Sequence, residues 1–294
     1  MAPRIPDHVS RPGSRENEPE SGRAPARGQD GHDEDETMGR AAAKLTGSAT
    51  ESAAARLADG ATDHLVGMEG ASAVITLRGV RAHCDPEGAL WLPAHDTLVL
   101  SDLHFEKASH FARAGYLVPP YDTGRTLDAV EAAIARRRPA LVVSLGDAFH
   151  DVGGPGRMAP ADRTRLEALM AGRDWLWIRG NHDPVLDDAM DGEEADALEL
   201  GPLRLVHEPT QGPAPGEIAG HLHPVARLGR GRRPVRRPCF ASDGDRLVMP
   251  AMGTFTGGLS VCAAPFRPIL ERRRMIAHML GDGRVYSVPG TALC

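Results

Sequence analysis

The sequence predicts an α/β sandwich, and three observations carry that prediction. Short apolar strand patterns alternate with helix patterns between residues 75 and 180, strands dominate after that, and several strands stop abruptly at Asp, Asn or His. Such alternation builds a sheet with helices packed on it, whereas a helical bundle would keep a 3.6-residue period throughout. With 294 residues, 41% of them hydrophobic, the chain can bury a full core in one large domain or two small ones.

Residues 1–66 stand outside the pattern. They are polar and rich in Gly, Pro, Ser and charge, so they are expected as a disordered extension to a folded domain over 67–294. An Ala-rich helix within 40–58 would have little to bury. Met38 and Met68 both suit a start, so an early start codon is a simpler reading of this segment than a regulatory tail.

Order begins near Ala71. "AVITLRGV", "GALWLP" and "TLVLSD" read as strands, with "DPEG" (85–88) as a turn. "YDTGRTLDAVEAAIARRRP" reads as a helix: Asp122 or Thr123 can cap it, Leu127, Val130 and Ile134 share a face, and Pro139 follows its end. "ALVVSLGD" is a strand, and "APADRTRLEALMAG" is a helix with Leu166, Leu169 and Met170 on one side. The remaining strands are "WLWIRGNHD", "LRLVHEP", "EIAGHLHP", "RLVMPAMG" and "GLSVCAA", with an Arg-rich loop after the third of these.

Composition excludes several classes. No apolar run is long enough to span a bilayer, and "MAPRIPDHVSRPGSRENEPESG" lacks the apolar segment of a secretory signal. Cysteines 84, 239, 262 and 294 show no C-x-x-C spacing, which suits reduced thiols in a cytoplasmic protein. A net charge of −6 argues against a globally basic nucleic-acid binder. The charge is uneven, however: acid is concentrated in 15–37, and "RLGRGRRPVRRP" places six arginines within residues 227–238.

Five strands end in groups that bind metal. "TLVLSDLH" delivers Asp102 and His104, "LVVSLGDAFHD" delivers Asp147, His150 and Asp151, and "WLWIRGNHD" delivers Asn181, His182 and Asp183. "LRLVHE" delivers His207, and "EIAGHLH" delivers His221 and His223. In open α/β sheets, ligands bind beyond the carboxyl ends of strands. Asp and His two apart can grip one ion, and a glycine before Asp147, Asn181 and His221 allows close backbone approach. Carboxylates, an amide and imidazoles without a thiolate suit Mn²⁺, Fe or Zn²⁺, and not a closed structural zinc site. One such strand end is usually a cap or a turn. Five in order point to a metal site.

The series D-x-H, G-D, G-N-H-D, a lone His and G-H-x-H, over about residues 98–223, resembles the calcineurin-like metallophosphoesterases. "DLHFEKASHFARAGYLVPPYDT", "LGDAFHD", "GEIAGHLHPVARL", "VRRPCFA" and "GTFTGGLSV" resemble more narrowly the PdeM-type, ligase-associated DNA-damage-response endonucleases. The resemblance implies a four-layer α/β/β/α sandwich with two ions at its strand ends. It implies that Asp102, His104 and His223 hold the first ion, that Asn181, His207 and His221 hold the second, and that Asp147 bridges them. His182 would then act on substrate, oriented by Asp183. Many relatives have an acid or amide three residues beyond the G-D aspartate; this chain has His150, followed by Asp151, and both are expected to support the site or the substrate.

The expected reaction is phosphodiester hydrolysis in nucleic acid by a hydroxide made on the two ions, with His182 either stabilising the developing charge or protonating the leaving group. The resemblance implies DNA as substrate, DNA repair as setting, and a ligase or helicase as partner. A small-molecule or nucleotide phosphohydrolase is the rival reading, and a non-catalytic scaffold of the same fold a weaker one. Arg230, Arg232, Arg233, Arg236 and Arg237 are expected to track a phosphate backbone, against the plainer reading of a solvated loop. Phe240 is the aromatic near them in sequence.

Overall fold

The computed structural model describes residues 71–184, 190–229 and 234–293; the extension assigned to 1–66 lies outside them. Two sheets pack face to face. The first contains β1 (Ala73–Leu77), β2 (Val80–Cys84), β3 (Leu90–Leu92), β4 (Thr97–Leu100), β5 (Leu141–Leu145), β6 (Asp174–Ile178) and β7 (Glu193–Ala195), in that spatial order. The strands from β1 to β4 form an antiparallel meander, and those from β4 to β7 run parallel. The second contains β8 (Ala197–Leu200), β9 (Leu203–Val206), β10 (Glu217–Ala219), β11 (Pro224–Leu228), β12 (Val235–Ser242), β13 (Leu247–Val248), β14 (Leu259–Ser260), β15 (Ile276–Gly281) and β16 (Arg284–Pro289).

Strand periodicity sorts the core. Leu141, Val143 and Leu145 of β5 and Leu176 and Ile178 of β6 face Leu205, Ile218, Phe240 and Leu247 of the second sheet. Val142, Trp175 and Trp177 point the other way, onto helices. Both faces are therefore buried, which is why "WLWI" is apolar at every position. The helices are α1 (Lys107–Arg113), α2 (Asp122–Arg137), α3 (Gly154–Arg157) and α4 (Pro160–Met170). The predicted faces of α2 (Leu127, Val130, Ile134) and α4 (Leu166, Met170) are the buried ones. Outside the second sheet, Val261, Phe266, Ile269, Leu270 and Met275 cover Ala226, Cys239, Ala241 and Ala277. That outer layer is irregular chain with one 3₁₀ turn at Ala264–Phe266.

Several expectations need correction. The strand in "AVITLRGV" stops at Leu77, because Arg78 and Gly79 both take positive φ and turn the chain back on itself into β2. Asp122 and Thr123 do not cap α2, which begins without a side-chain cap. Asp122 Oδ2 instead accepts from the amide of Ala108 in the first turn of α1, 2.8 Å away. Thr123 Oγ1 accepts from the Glu106 amide at 2.9 Å, so both side chains brace α1, a helix not predicted. The Arg-rich loop is a β-hairpin base, with Arg227 paired to Arg236 and Ala226 to Arg237.

Cys84 and Cys239 are free, as expected, and both are buried. Cys262 is disulfide-bonded, so the cysteines no longer argue for a reducing compartment. Among the described residues, no helix is long and apolar enough to cross a membrane.

Candidate metal centre

The carboxyl ends of the parallel strands β4, β5 and β6 deliver Asp102 with His104, Asp147, and Asn181 with His182. The parallel strands β9 and β10 deliver His207, and His221 with His223. Backbone hydrogen bonds lace these ends together. The amide of His104 donates to the Asp147 carbonyl at 2.9 Å, that of Gly220 to the His207 carbonyl at 3.0 Å, and that of Gly253 to the Asp102 carbonyl at 3.0 Å.

Seven side chains converge as two groups. In the first, His223 Nε2 lies 3.1 Å from Asp102 Oδ1 and 3.3 Å from His104 Nε2. In the second, Asn181 Oδ1 lies 2.9 Å from both His207 Nε2 and His221 Nδ1, which are themselves 3.3 Å apart. Asp147 stands between the groups: Oδ1 is 3.4 Å from His207 Nε2 and Oδ2 is 3.8 Å from His104 Nε2. One oxygen faces each way.

The donor chemistry fits cations. His207 Nδ1 donates to the Leu145 carbonyl at 2.8 Å, which leaves Nε2 of the neutral ring with a lone pair. That lone pair faces the Asn181 oxygen and another imidazole nitrogen, an arrangement that a positive charge between them would relieve. Asp102 is fully buried and Asp147 nearly so, and among the described residues their side-chain ion-pair partners are histidines. Buried carboxylates need compensating positive charge. Asp102, His104 and His223 form one set whose ligand atoms lie within 4.8 Å of one another, and Asp147, His207 and His221 form another.

Electrostatics keep these donors available. Burial drives His104 down to about 2, against the pull of Asp102, so its ring is neutral. Burial, reinforced by His207, lowers His221 as well. Burial pushes Asp102 up, but hydrogen bonding and charge from His223, with help from His207 and Ser101, outweigh it and hold the carboxyl low.

The backbone is strained where the donors are. Asp102, His104, Asp147, His221 and His223 all have φ between 43 and 65°, the left-handed region. For a side-chain-bearing residue this costs on the order of 1 kcal/mol. Strain concentrated in one cleft is a mark of function. Gly146 and Gly180 allow the approach. A Cβ on Gly146 would sit 2.5 Å from the His207 ring and 2.9 Å from Gly180 Cα; one on Gly180 would sit 2.3 Å from Asp147 Oδ1.

His182 is at the rim, its side chain 40% exposed, with Nε2 4.0 Å from Asp147 Oδ2. Asp183 does not orient it, contrary to expectation. Asp183 Oδ2 accepts from the Phe149 amide at 2.9 Å, and burial raises its carboxyl to about 7. His182 Nδ1 donates instead to the His150 carbonyl at 3.0 Å, and the two rings stack with centroids 5.1 Å apart. Beyond the end of β6 the chain bends, with Asp183 buried against the Phe149 amide while His182 is exposed. Asp151 is not free for substrate: Arg157 grips both its oxygens, at 2.8 and 2.7 Å, and His110 Nδ1 lies 2.6 Å away. The Arg157 pair holds its carboxyl well below the usual range.

Arg230, Arg232 and Arg233 lie outside the described residues. Arg236 lines a cleft with His223, Pro224, Thr256 and Gly257. Arg237 is on the opposite face of β12, against Gly281. Phe240 is fully buried and cannot stack on a base. The sequence also gave no sign of the Leu145 and His150 carbonyls, since a backbone oxygen has no residue signature. The His110–Asp151–Arg157 cluster was hidden by the 41-residue separation of His110 from Asp151.

Residues 95–227 match the family model of calcineurin-like phosphoesterases. The chain carries a calcineurin-like phosphoesterase domain. It is similar to the crystal structure of a Pseudomonas putida nuclease, MPE, at 29% identity and a TM-score of 0.58. That likeness covers 74% of this chain and all of the nuclease. No curated protein matches the chain. The phosphoesterase domain spans all the candidate ligands, and the protein is a metal-dependent phosphoesterase.

Proposed function

We propose that this phosphoesterase is a dinuclear nuclease that hydrolyses phosphodiester bonds in DNA, with Mn²⁺ as the leading candidate metal. The observation that carries the dinuclear reading is Asp147, whose two oxygens face the two donor groups. Asp102, His104 and His223 would hold one ion, Asn181, His207 and His221 would hold the other, and Asp147 would be shared. Two ions in these positions supply charge that polarises a phosphoryl oxygen and acidifies a water.

The chain's own groups do the rest. His182, exposed at the rim and fixed through Nδ1 by the His150 carbonyl, presents Nε2 to the leaving oxygen and delivers the proton to it. His150 supports that ring from behind and is a positioning residue. The nucleic-acid assignment is supported by the similarity to a nuclease and by Arg236 beside His223. The DNA-repair setting rests on the motif resemblance.

The test is to add Mn²⁺, Zn²⁺ or Mg²⁺ to metal-free protein and compare DNA strands with small aryl phosphodiesters and monoesters. Cleavage of DNA with two ions bound per chain supports the reading. Efficient turnover confined to small esters would make the protein a small-molecule phosphohydrolase.

A further inference from the structure

The turn that carries Phe255 is built tightly and yet displays an aromatic ring. Thr256 Oγ1 donates to the Gly253 carbonyl at 2.6 Å, and the Thr254 amide donates to Thr126 Oγ1 of α2 at 3.1 Å. The Gly253 amide is tied to the Asp102 carbonyl, so this turn rests directly on the backbone of a candidate ligand. Between these anchors Phe255 takes φ 62°, and it is 49% exposed. A bulky residue in the left-handed region is strained, and exposing an apolar ring gains little from burial. Turn chemistry does not call for a phenylalanine here, since glycine or asparagine would serve the turn better.

The next residues, Thr256 and Gly257, form a wall of the cleft that His223 and Arg236 also line. Arg236 is held across it by donating from Nη2 to the Gly258 carbonyl at 2.9 Å. One cleft therefore adjoins a candidate metal ligand and contains a guanidinium, and a strained, exposed ring lies one residue from its wall. We propose that this cleft is the subsite for the nucleotide flanking the scissile phosphate, with Phe255 stacking on its base and Arg236 taking the next phosphate. The inference rests on the nucleic-acid reading and goes beyond it in naming the residue that recognises the base. Stacking on an aromatic face tolerates all four bases, so Phe255 confers a requirement for a base rather than for a sequence.

The experiment compares three 4-nitrophenyl esters that share a leaving group: thymidine 5′-(4-nitrophenyl phosphate), its 3′ isomer, and the ester of the base-free deoxyribose phosphate. Wild type, Phe255→Gly and Phe255→Tyr are measured on each with the metal loaded, and thermal midpoints are recorded. Phe255→Gly should lower kcat/KM for at least one nucleoside ester about tenfold and leave the base-free ester unchanged. Phe255→Tyr should retain the nucleoside activity. Because glycine relieves the strain, the midpoint of Phe255→Gly should not fall. Equal changes on all three esters, or no change on any, would overturn the subsite. A wild-type preference for nucleoside esters that survives Phe255→Gly removes the subsite alone. A wild type that cuts no DNA and ignores the base removes the nucleic-acid reading itself.

Discussion

Asp147 is the residue on which the candidate centre turns, because its two oxygens face two separate donor groups. Asp147→Ala should lose more bound metal than Asp102→Ala, since vacating the shared position also leaves two cations repelling each other. Elemental analysis of both variants decides this, and near-normal stoichiometry in Asp147→Ala would refute the bridge. His182→Gln should keep its metal and lose about 10²–10⁴-fold in turnover, with a smaller loss on nitrophenyl esters, whose leaving groups need no proton. If His182→Gln strips metal as His221→Ala should, His182 is a ligand instead. The seven candidate donors stood out in sequence among the polar groups that end the apolar strands, and the motif resemblance singled them out from neighbours such as His150 and Asp183. Asp183 was misread for a physical reason: adjacency in sequence puts it beside His182, while the bend after β6 buries it against the Phe149 amide.

At the scale of elements, β12 separates two arginines that the sequence presents together. Arg236 faces the cleft beside His223, and Arg237 faces Gly281. Arg236→Gln should therefore weaken DNA binding to a similar degree for all sequences and flatten its salt dependence, by about 0.7 in slope for a single-strand phosphate contact. Arg237→Gln should change neither, and a salt titration of both variants is the check. An equal effect of the two would restore a single basic surface. Alternation along a strand can be read only once the strand is recognised, and Gly and Pro around "RGRRPVRRP" had suggested a loop. The helix α1 was missed for a related reason: its start is braced by Asp122 and Thr123 rather than by a local cap. Strands such as β7, with the sequence EEA, carry no apolar pattern and are defined by pairing to β6.

Across the whole molecule, a buried ion pair joins parts that the sheets alone leave loose. Arg246 bonds Glu217 and also donates to the carbonyls of Gly212 at 2.6 Å and Thr210 at 2.8 Å; Glu217 accepts from Thr210 Oγ1 at 2.6 Å. Both side chains are almost wholly buried. Glu217→Ala should cost about 3–5 kcal/mol, because it strands a buried guanidinium. Urea unfolding of metal-free protein measures it, and a loss near zero would mean that water replaces the carboxylate. The α/β sandwich itself was legible, since alternating helices and apolar strands permit few alternatives. The irregular layer over the second sheet was not, because Val261, Phe266 and Ile269 find their places by filling space rather than by any period.

Gly146 and Gly180 together act as a ruler. These residues immediately precede Asp147 and Asn181, at the ends of neighbouring parallel strands, and the space a Cβ would need is already taken by the His207 ring at Gly146 and by the backbone and carboxylate of Asp147 at Gly180. The spacing of the shared carboxylate from the amide thus depends on two positions that have no room for a side chain. Exchanging a donor changes what grips the ion, whereas a single methyl on either glycine keeps every donor's identity and pushes the His207 ring or the Asp147 carboxylate out of place. Retuning this centre to a different metal is a matter of donor identity, and its gauge is not open to adjustment by side chains.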